Sequence, residues 1–169
     1  MTLISTNWLK NNLGKVKIFD ASWHLPSIKR DAKKEYLEKH IPSAIFWDLD
    51  EHSNKDSSYP HMMPNTNYWT KMLWKFGITN NDHVIIYDYS NLYSACRLWF
   101  SLKYFGHEKV SVLNGGFEKW LKEKKPVTQK IDKIKQTNSY RTTENNDWIK
   151  NKKQIDENIK NNSFVLVDA

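Results

Sequence analysis

A single cysteine, Cys96, stands in a chain of 169 residues. One thiol excludes an internal disulfide and a cysteine metal cluster, and it fits a reducing compartment. Apolar runs are short, and none approaches the roughly 20 residues that cross a bilayer as a helix. Met1-Thr-Leu-Ile-Ser-Thr-Asn-Trp8 lacks a basic stretch followed by an apolar one, so no secretory signal is read there. A cytoplasmic location is the expectation, with no membrane partner. No stripe of alternating aromatic and basic residues suggests a nucleic-acid groove. The net charge of +7 does not restore that reading, because of where it lies. Eleven basic and six acidic side chains fall between Lys122 and Lys160, whereas the preceding 121 residues carry fifteen and twelve. The excess sits in a weakly apolar stretch where charges are simply solvated.

What is present supports a packed core. Apolar residues make up 39% of the chain and aromatics 14%, with eight Trp. The mean hydropathy of −0.75 reflects abundant surface Lys and Asn, not a missing interior. The length suits one domain and part of another.

Short β-branched runs alternate with helix-spaced segments. Thr6 or Ser5 caps a helix through Leu13 that Gly14 ends. Residues 16–21 alternate as a strand, and Asp31 to His40 reads as a helix with Tyr36, Leu37 and Ile41 inward, closed by Pro42. Ala44 to Trp47 is a second strand. Residues 50–64 form a long polar loop, hence a functional candidate. Asn65 caps a helix through Trp69, Met72, Leu73 and Phe76, ended by Gly77. Strand 83–88 follows, then a helix from Tyr93 to Phe105, strand 110–113, and a turn at Asn114-Gly115-Gly116 into a helix with Phe117, Trp120 and Leu121. This order predicts an α/β fold, a parallel sheet flanked by helices on both faces. Beyond Pro126 an aperiodic connector runs to about Asp147. Trp148, Ile149, Ile155 and Ile159 then trace a helix, and residues 164–169 a strand. Val165-Leu-Val-Asp-Ala169 repeats the ending of Lys17-Ile-Phe-Asp-Ala21, as a second copy of the domain would. The chain is therefore expected to be truncated.

The most informative stretch is His83-Val-Ile-Ile-Tyr-Asp88 and the loop Tyr89 to Ser94 after it. In open α/β sheets ligands bind at such a carboxyl-end loop. This one has no nucleophile where one would stand, so it shapes a pocket more readily than it breaks a bond.

Five strings appear in order: Asp20-Ala-Ser-Trp23, Glu35-Tyr-Leu-Glu-Lys-His-Ile-Pro-Ser-Ala44, His61-Met-Met-Pro64, Leu92-Tyr-Ser-Ala95 and Val110-Ser-Val-Leu-Asn-Gly-Gly-Phe117. Together they resemble the N-terminal domain of the two-domain rhodanese family of thiosulfate and 3-mercaptopyruvate sulfurtransferases. The resemblance implies a rhodanese-like fold present twice, with 1–128 as the non-catalytic copy, 129–146 as linker and 147–169 as the beginning of the second. It implies sulfane-sulfur transfer to a thiol or cyanide through a Cys persulfide, with no cofactor and no metal. The persulfide Cys and a partnering Arg belong to the second copy, so no catalytic residue is expected here and this chain alone is expected to be inactive. Asp88 matches the nucleophile's position in the silent copy. His61 and Tyr93 resemble the mercaptopyruvate branch, where their counterparts line the substrate cleft between the domains, and Trp23 would face it too. A His and a Tyr hydroxyl both donate to a carboxylate. The donor would be a small anion, 3-mercaptopyruvate or alternatively thiosulfate. A catalytically empty rhodanese domain serving as a binding module is the other reading.

Plainer readings stand beside these. His61 in a Pro-bounded loop is solvated unless its Met-Met-Pro context makes it a cleft residue. Tyr93 reads equally as helix-start packing. Asp20 and Asp88 end strands, where bonds to loop N–H groups are the common role. Arg97 pairs with a carboxylate or a carbonyl. Asn114-Gly-Gly116 is a tight turn, since it lacks the rest of a phosphate loop. Cys96, in helical spacing with Phe100 and Tyr104, is expected to be buried; Arg97 and the helix start would lower its pKa if it were reactive.

Overall fold

The computed structural model describes residues 2–90 and 94–167. Five parallel strands form one sheet in the order β1-β5-β4-β2-β3. They are β1 (Thr2–Ile4), β2 (Lys17–Asp20), β3 (Ala44–Phe46), β4 (Val84–Tyr87) and β5 (Val110–Leu113). Alternation along the strands divides the interior into two layers. Phe19, Val84, Ile86, Val110 and Val112 face one side, against Trp69, Met72 and Leu73 of α3 (Thr66–Lys75) and Ala95, Leu98 and Leu102 of α4 (Ser94–Tyr104). Ile4, Ile18, Ile85, Tyr87 and Leu113 face the other. There they meet α1 (Thr6–Asn11) through Leu9, α2 (Ala32–Glu38) through Tyr36, and α5 (Gly116–Lys122) through Phe117 and Trp120. The expected parallel sheet with helices on both faces is what forms.

Helix starts follow their caps. The side chains of Ser5, Asp31 and Asn65 accept from the amides of Trp8, Lys34 and Tyr68, satisfying donors that the first turn leaves without partners. Ser5, not Thr6, caps α1. Among the expected inward residues of α2, Tyr36 and Ile41 are buried but Leu37 is half exposed. Adjacent helix positions lie about 100° apart, and Tyr36 occupies the sheet-facing one.

Two readings of the sequence need correction, and one strand was not anticipated. Thr2–Ile4 is a strand, an edge partner of β5. Residues 164–167 are not one: Val165 and Val167 are 87% and 82% exposed. Among the described residues no strand lies alongside to take their backbone bonds, and an unpaired strand has nothing to hold it. Trp148 belongs to a single 3-10 turn, Asn146–Trp148, and α6 (Lys152–Asn161) begins separately under a capping box of Asn151 and Gln154.

The connector after Pro126 is fastened down. Its Thr137, Thr143 and Asn145 amides donate to the carbonyls of Trp74, Phe105 and Tyr104, at the carboxyl ends of α3 and α4. At Gly77, φ is +65° and an added Cβ would lie 2.3 Å from the Lys135 carbonyl oxygen, so no other residue fits there. Tyr140 is the anchor. Its side chain is fully buried with the α3–α4 layer, stacked on His107 at 5.7 Å, and its hydroxyl finds no hydrogen-bond partner among the described residues.

Tyr140→Ala is expected to cost about 3–5 kcal/mol in urea unfolding, the range for emptying a large aromatic site. Tyr140→Phe removes only an unpaired hydroxyl and should lie within about 1 kcal/mol of wild type or above it. A near-neutral Tyr140→Ala would contradict the anchoring role.

Candidate functional site

β2 and β4 are neighbours in register, Asp20 beside Tyr87, so their ends deliver Asp20 and Asp88 to one edge of the sheet. Asp20 is buried; its Oδ1 accepts from the Ser22 amide at 3.0 Å and the Ser22 hydroxyl at 2.5 Å. The same hydroxyl oxygen accepts from the Tyr89 amide at 2.8 Å, tying the two loops together. Asp88 Oδ2 accepts from the Ala95 amide at 2.9 Å, in the first turn of α4. The Asp88 carbonyl accepts from the Phe117 amide at 2.8 Å. This contact demands Gly116, with φ +55°, because a Cβ there would meet the same oxygen at 2.6 Å. Both aspartates thus hold loops in place, as strand-end carboxylates commonly do. Burial raises both pKa values against these bonds, and Asp20 reaches about 6.

A cleft of about 990 Å³ opens above this edge. On one wall Arg30 makes a two-point bond to Glu35 at 2.6 and 2.7 Å, and its guanidinium lies 4.8 Å over the Tyr89 ring. His24 Nε2 lies 3.1 Å from the same carboxylate. Burial alone would raise the Glu35 pKa, but the bonds from Arg30 and His24 hold it below its usual value. Asp20, Glu35, Glu38, Asp88 and Glu118 face only Arg30 and Lys39 among the lining residues. A cleft this rich in carboxylates repels a small anion.

Cys96 is exposed on the rim of this cleft, which corrects the expectation of a buried thiol. The buried stripe of α4 runs through Ala95, Leu98 and Leu102, and Cys96 sits one position off it. Partial burial and then the Asp88 charge raise its pKa. Arg97 does not lower it, and a protonated thiol is a poor nucleophile.

A second cluster assembles around Asp50. Its Oδ2 accepts from the Trp23 indole N–H at 2.9 Å, and its Oδ1 lies 2.7 Å from His61 Nε2. The Trp23 and His61 rings meet edge to face, centroids 4.9 Å apart. His61 adopts the left-handed φ of +56°, and its carbonyl accepts from Arg97 Nη2 at 2.5 Å. Arg97 therefore pairs with a carbonyl, as one of its two sequence readings held. Burial lowers its pKa, and its Nε is buried without a partner among the described residues. His61 and Trp23, both expected at a cleft, come together. Tyr93 lies outside the described residues, and Asp88 belongs to the first cluster. Asp50 was not anticipated: its role arises from two rings that lie 27 and 11 residues away, and no local pattern marks it.

Among the described residues, no group of His, Cys, Asp or Glu could hold a metal ion, and no helix is long and apolar enough to cross a membrane.

The family model for the rhodanese-like domain matches residues 5–123. The thiosulfate sulfurtransferase of Bos taurus is 41% identical over 175 residues, covering 99% of this chain and 58% of its own length. The 3-mercaptopyruvate sulfurtransferase of Mus musculus is 37% identical, covering 99% and 59%. The chain thus spans about three fifths of the length of these curated relatives. The crystal structure of SseA from Escherichia coli, a 3-mercaptopyruvate sulfotransferase, superposes with a TM-score of 0.87 at 28% identity, covering 95% of this chain and 62% of that one.

Asp20 supplies a pH signature. It keeps its proton to about pH 6 in the fold but releases it near 4 when unfolded. Between those values the folded state binds more protons, so this group's contribution falls as pH rises, by on the order of 3 kcal/mol. Asp20→Asn is expected to remove that loss, so its stability relative to wild type climbs across this window in urea unfolding. Asp88, raised by the same cause, leaves a residual slope of the same sign. Parallel curves for the two proteins would contradict the assignment.

Proposed function

The chain belongs to the rhodanese-like domain family, and from that premise we propose that it forms the chemically silent lobe of a two-domain sulfurtransferase. Residues 1–128 would be the first copy and 129–146 the linker, with the second copy starting near 147. The sulfur would travel on a Cys persulfide of that second copy. This lobe would supply one wall of the cleft that receives the donor.

The observation that carries this reading is Asp88. The position where a sulfur-carrying residue would stand holds a buried carboxylate bound to the Ala95 amide. No thiolate is available beside it, since the exposed Cys96 thiol is pushed toward its protonated form. A persulfide mechanism needs a thiolate of low pKa to attack the donor's sulfur. An anionic donor would also avoid the carboxylate-lined cleft, and it fits the His61–Trp23 wall better. There His61, with Nε2–H on Asp50, would donate to the donor's carboxylate or sulfonate oxygen from Nδ1 when the ring carries both protons. Asp50 orients the ring and Trp23 packs against it. Tyr93 would add its hydroxyl.

For the donor we favour 3-mercaptopyruvate, on the His61-Met-Met-Pro64 and Leu92-Tyr-Ser-Ala95 strings. Thiosulfate is the alternative, favoured by the higher identity to the bovine thiosulfate enzyme. The acceptor would be a thiol or cyanide, in a reducing compartment such as the cytoplasm. A silent rhodanese domain serving as a binding module is a second reading that Asp88 favours equally.

Incubated with 3-mercaptopyruvate or thiosulfate and cyanide, this chain is expected to form no thiocyanate above the blank, with bovine thiosulfate sulfurtransferase as the positive control. Thiocyanate production that disappears in Cys96→Ala would place the chemistry on this lobe and overturn the proposal.

A further inference from the structure

A second cavity, of about 390 Å³, lies away from both clusters, between α2, the end of β3 and α3. Its size falls within the range of small-molecule sites. Phe46, Met72 and Phe76 give it an apolar floor. His52 lines it too, its ring buried and fixed edge to face on Phe76 at 5.5 Å, with Nδ1 2.9 Å from the Tyr68 hydroxyl. With Nδ1 committed to Tyr68, Nε2 has no hydrogen-bond partner among the described residues.

Lys33 reaches this cavity from α2, and Lys71 and Lys75 from successive turns of α3. Among the described residues, none of the three ammonium groups forms an ion pair. Asp48 and Glu51 are the opposing charges in the lining. Asp48 is already engaged, since its Oδ1 accepts from the Glu51 amide at 3.0 Å. Three positive groups against two negative ones leave one positive charge over an apolar floor. Burial depresses the His52 pKa, so its ring enters as a neutral hydrogen-bonding group and adds no charge of its own. The Tyr68 hydroxyl donates to the Glu51 carbonyl at 3.3 Å. Nδ1 of the neutral ring then donates to that hydroxyl at 2.9 Å, which leaves Nε2 as an acceptor.

We propose that this cavity binds a small aromatic carboxylate, its ring on Phe46, Met72 and Phe76 and its carboxylate on the lysine rim. The pieces complement one another in kind: a flat apolar body for the floor and a single negative charge for the single excess positive one. The site is independent of sulfur transfer and of whatever lines the His61 wall.

The test uses the whole chain, isotopically labelled, titrated with phenylacetate and followed by amide resonances. Phenylacetamide, which keeps the ring and loses the charge, and acetate, which keeps the charge and loses the ring, are the controls. Phenylacetate is expected to shift the amides of Phe46, His52, Lys71 and Met72 at submillimolar to millimolar concentration. Each control should bind roughly tenfold more weakly, a difference of about 1.4 kcal/mol. The double variant Lys71→Glu, Lys75→Glu changes two exposed side chains, so it should keep the wild-type spectrum elsewhere and lose roughly tenfold or more in affinity for phenylacetate. A milder variant, Lys75→Gln, should show a smaller loss in the same direction and serves if the double variant folds poorly. Absence of shifts at these amides, equal affinity for the three probes, or binding unaffected by the lysine changes would each overturn the proposal.

Discussion

The bond from the Ala95 amide to the Asp88 carboxylate is the contact around which the sheet's functional edge is built. It fills an amide that the first turn of α4 would otherwise leave open. It places negative charge at a helix start, where the helix dipole favours it. The Asp88 backbone carbonyl receives Phe117, so the same residue also sets the start of α5. One hydroxyl, Ser22 Oγ, joins the neighbouring Asp20 to the Tyr89 amide and closes the arrangement across two strands. A carboxylate committed to a helix start is poorly suited to chemistry. The end of β4 delivers a brace to the starts of α4 and α5.

Two clusters are built beside this geometry, one around Asp88 and one around Asp50. The cleft above Asp20 and Asp88 is dominated by carboxylates, and burial raises the pKa of both. The His61 cluster is fixed from α4, where Arg97 grips the His61 carbonyl. A half-buried guanidinium without a carboxylate partner among the described residues costs free energy, and here it holds a residue in a left-handed backbone conformation that few side chains adopt without support. Asp50 then locks the imidazole and the indole as a unit. The fold thus accepts an unfavourable charge and an unfavourable φ to present one aromatic wall.

Much of the fold was legible because its signals are local. Asn65 and Asp31 cap helices whose apolar spacing is plain, and the β-branched runs at 84–87 and 110–113 bury both faces as parallel strands do. The family was legible from five strings in order, and two of those strings contain Trp23 and His61, whose rings the fold brings into contact. What escaped the sequence is what depends on distant partners. Three residues at the N-terminus carry too little pattern to announce β1, which exists because β5 lies beside it. A lone Tyr140 in a polar, aperiodic stretch gives no hint that it fills the layer above α3 and α4. Cys96 was misread for a related reason: its helical spacing with Phe100 and Tyr104 is real, but the buried face of α4 runs one position away. Residues 164–167 have strand-like composition without a strand to pair with. Composition proposes such elements, and neighbours decide them.

Native-state hydrogen exchange at the Ala95 amide gives the most direct test of Asp88 as a brace. In Asp88→Ala, exchange at Ala95 should quicken by roughly tenfold or more, the worth of one hydrogen bond to a charged acceptor, while amides in the middle of β4 keep their protection. If Ala95 exchanged in the variant at the wild-type rate, the carboxylate would not be holding the helix start, and its place at the end of β4 would need a different explanation.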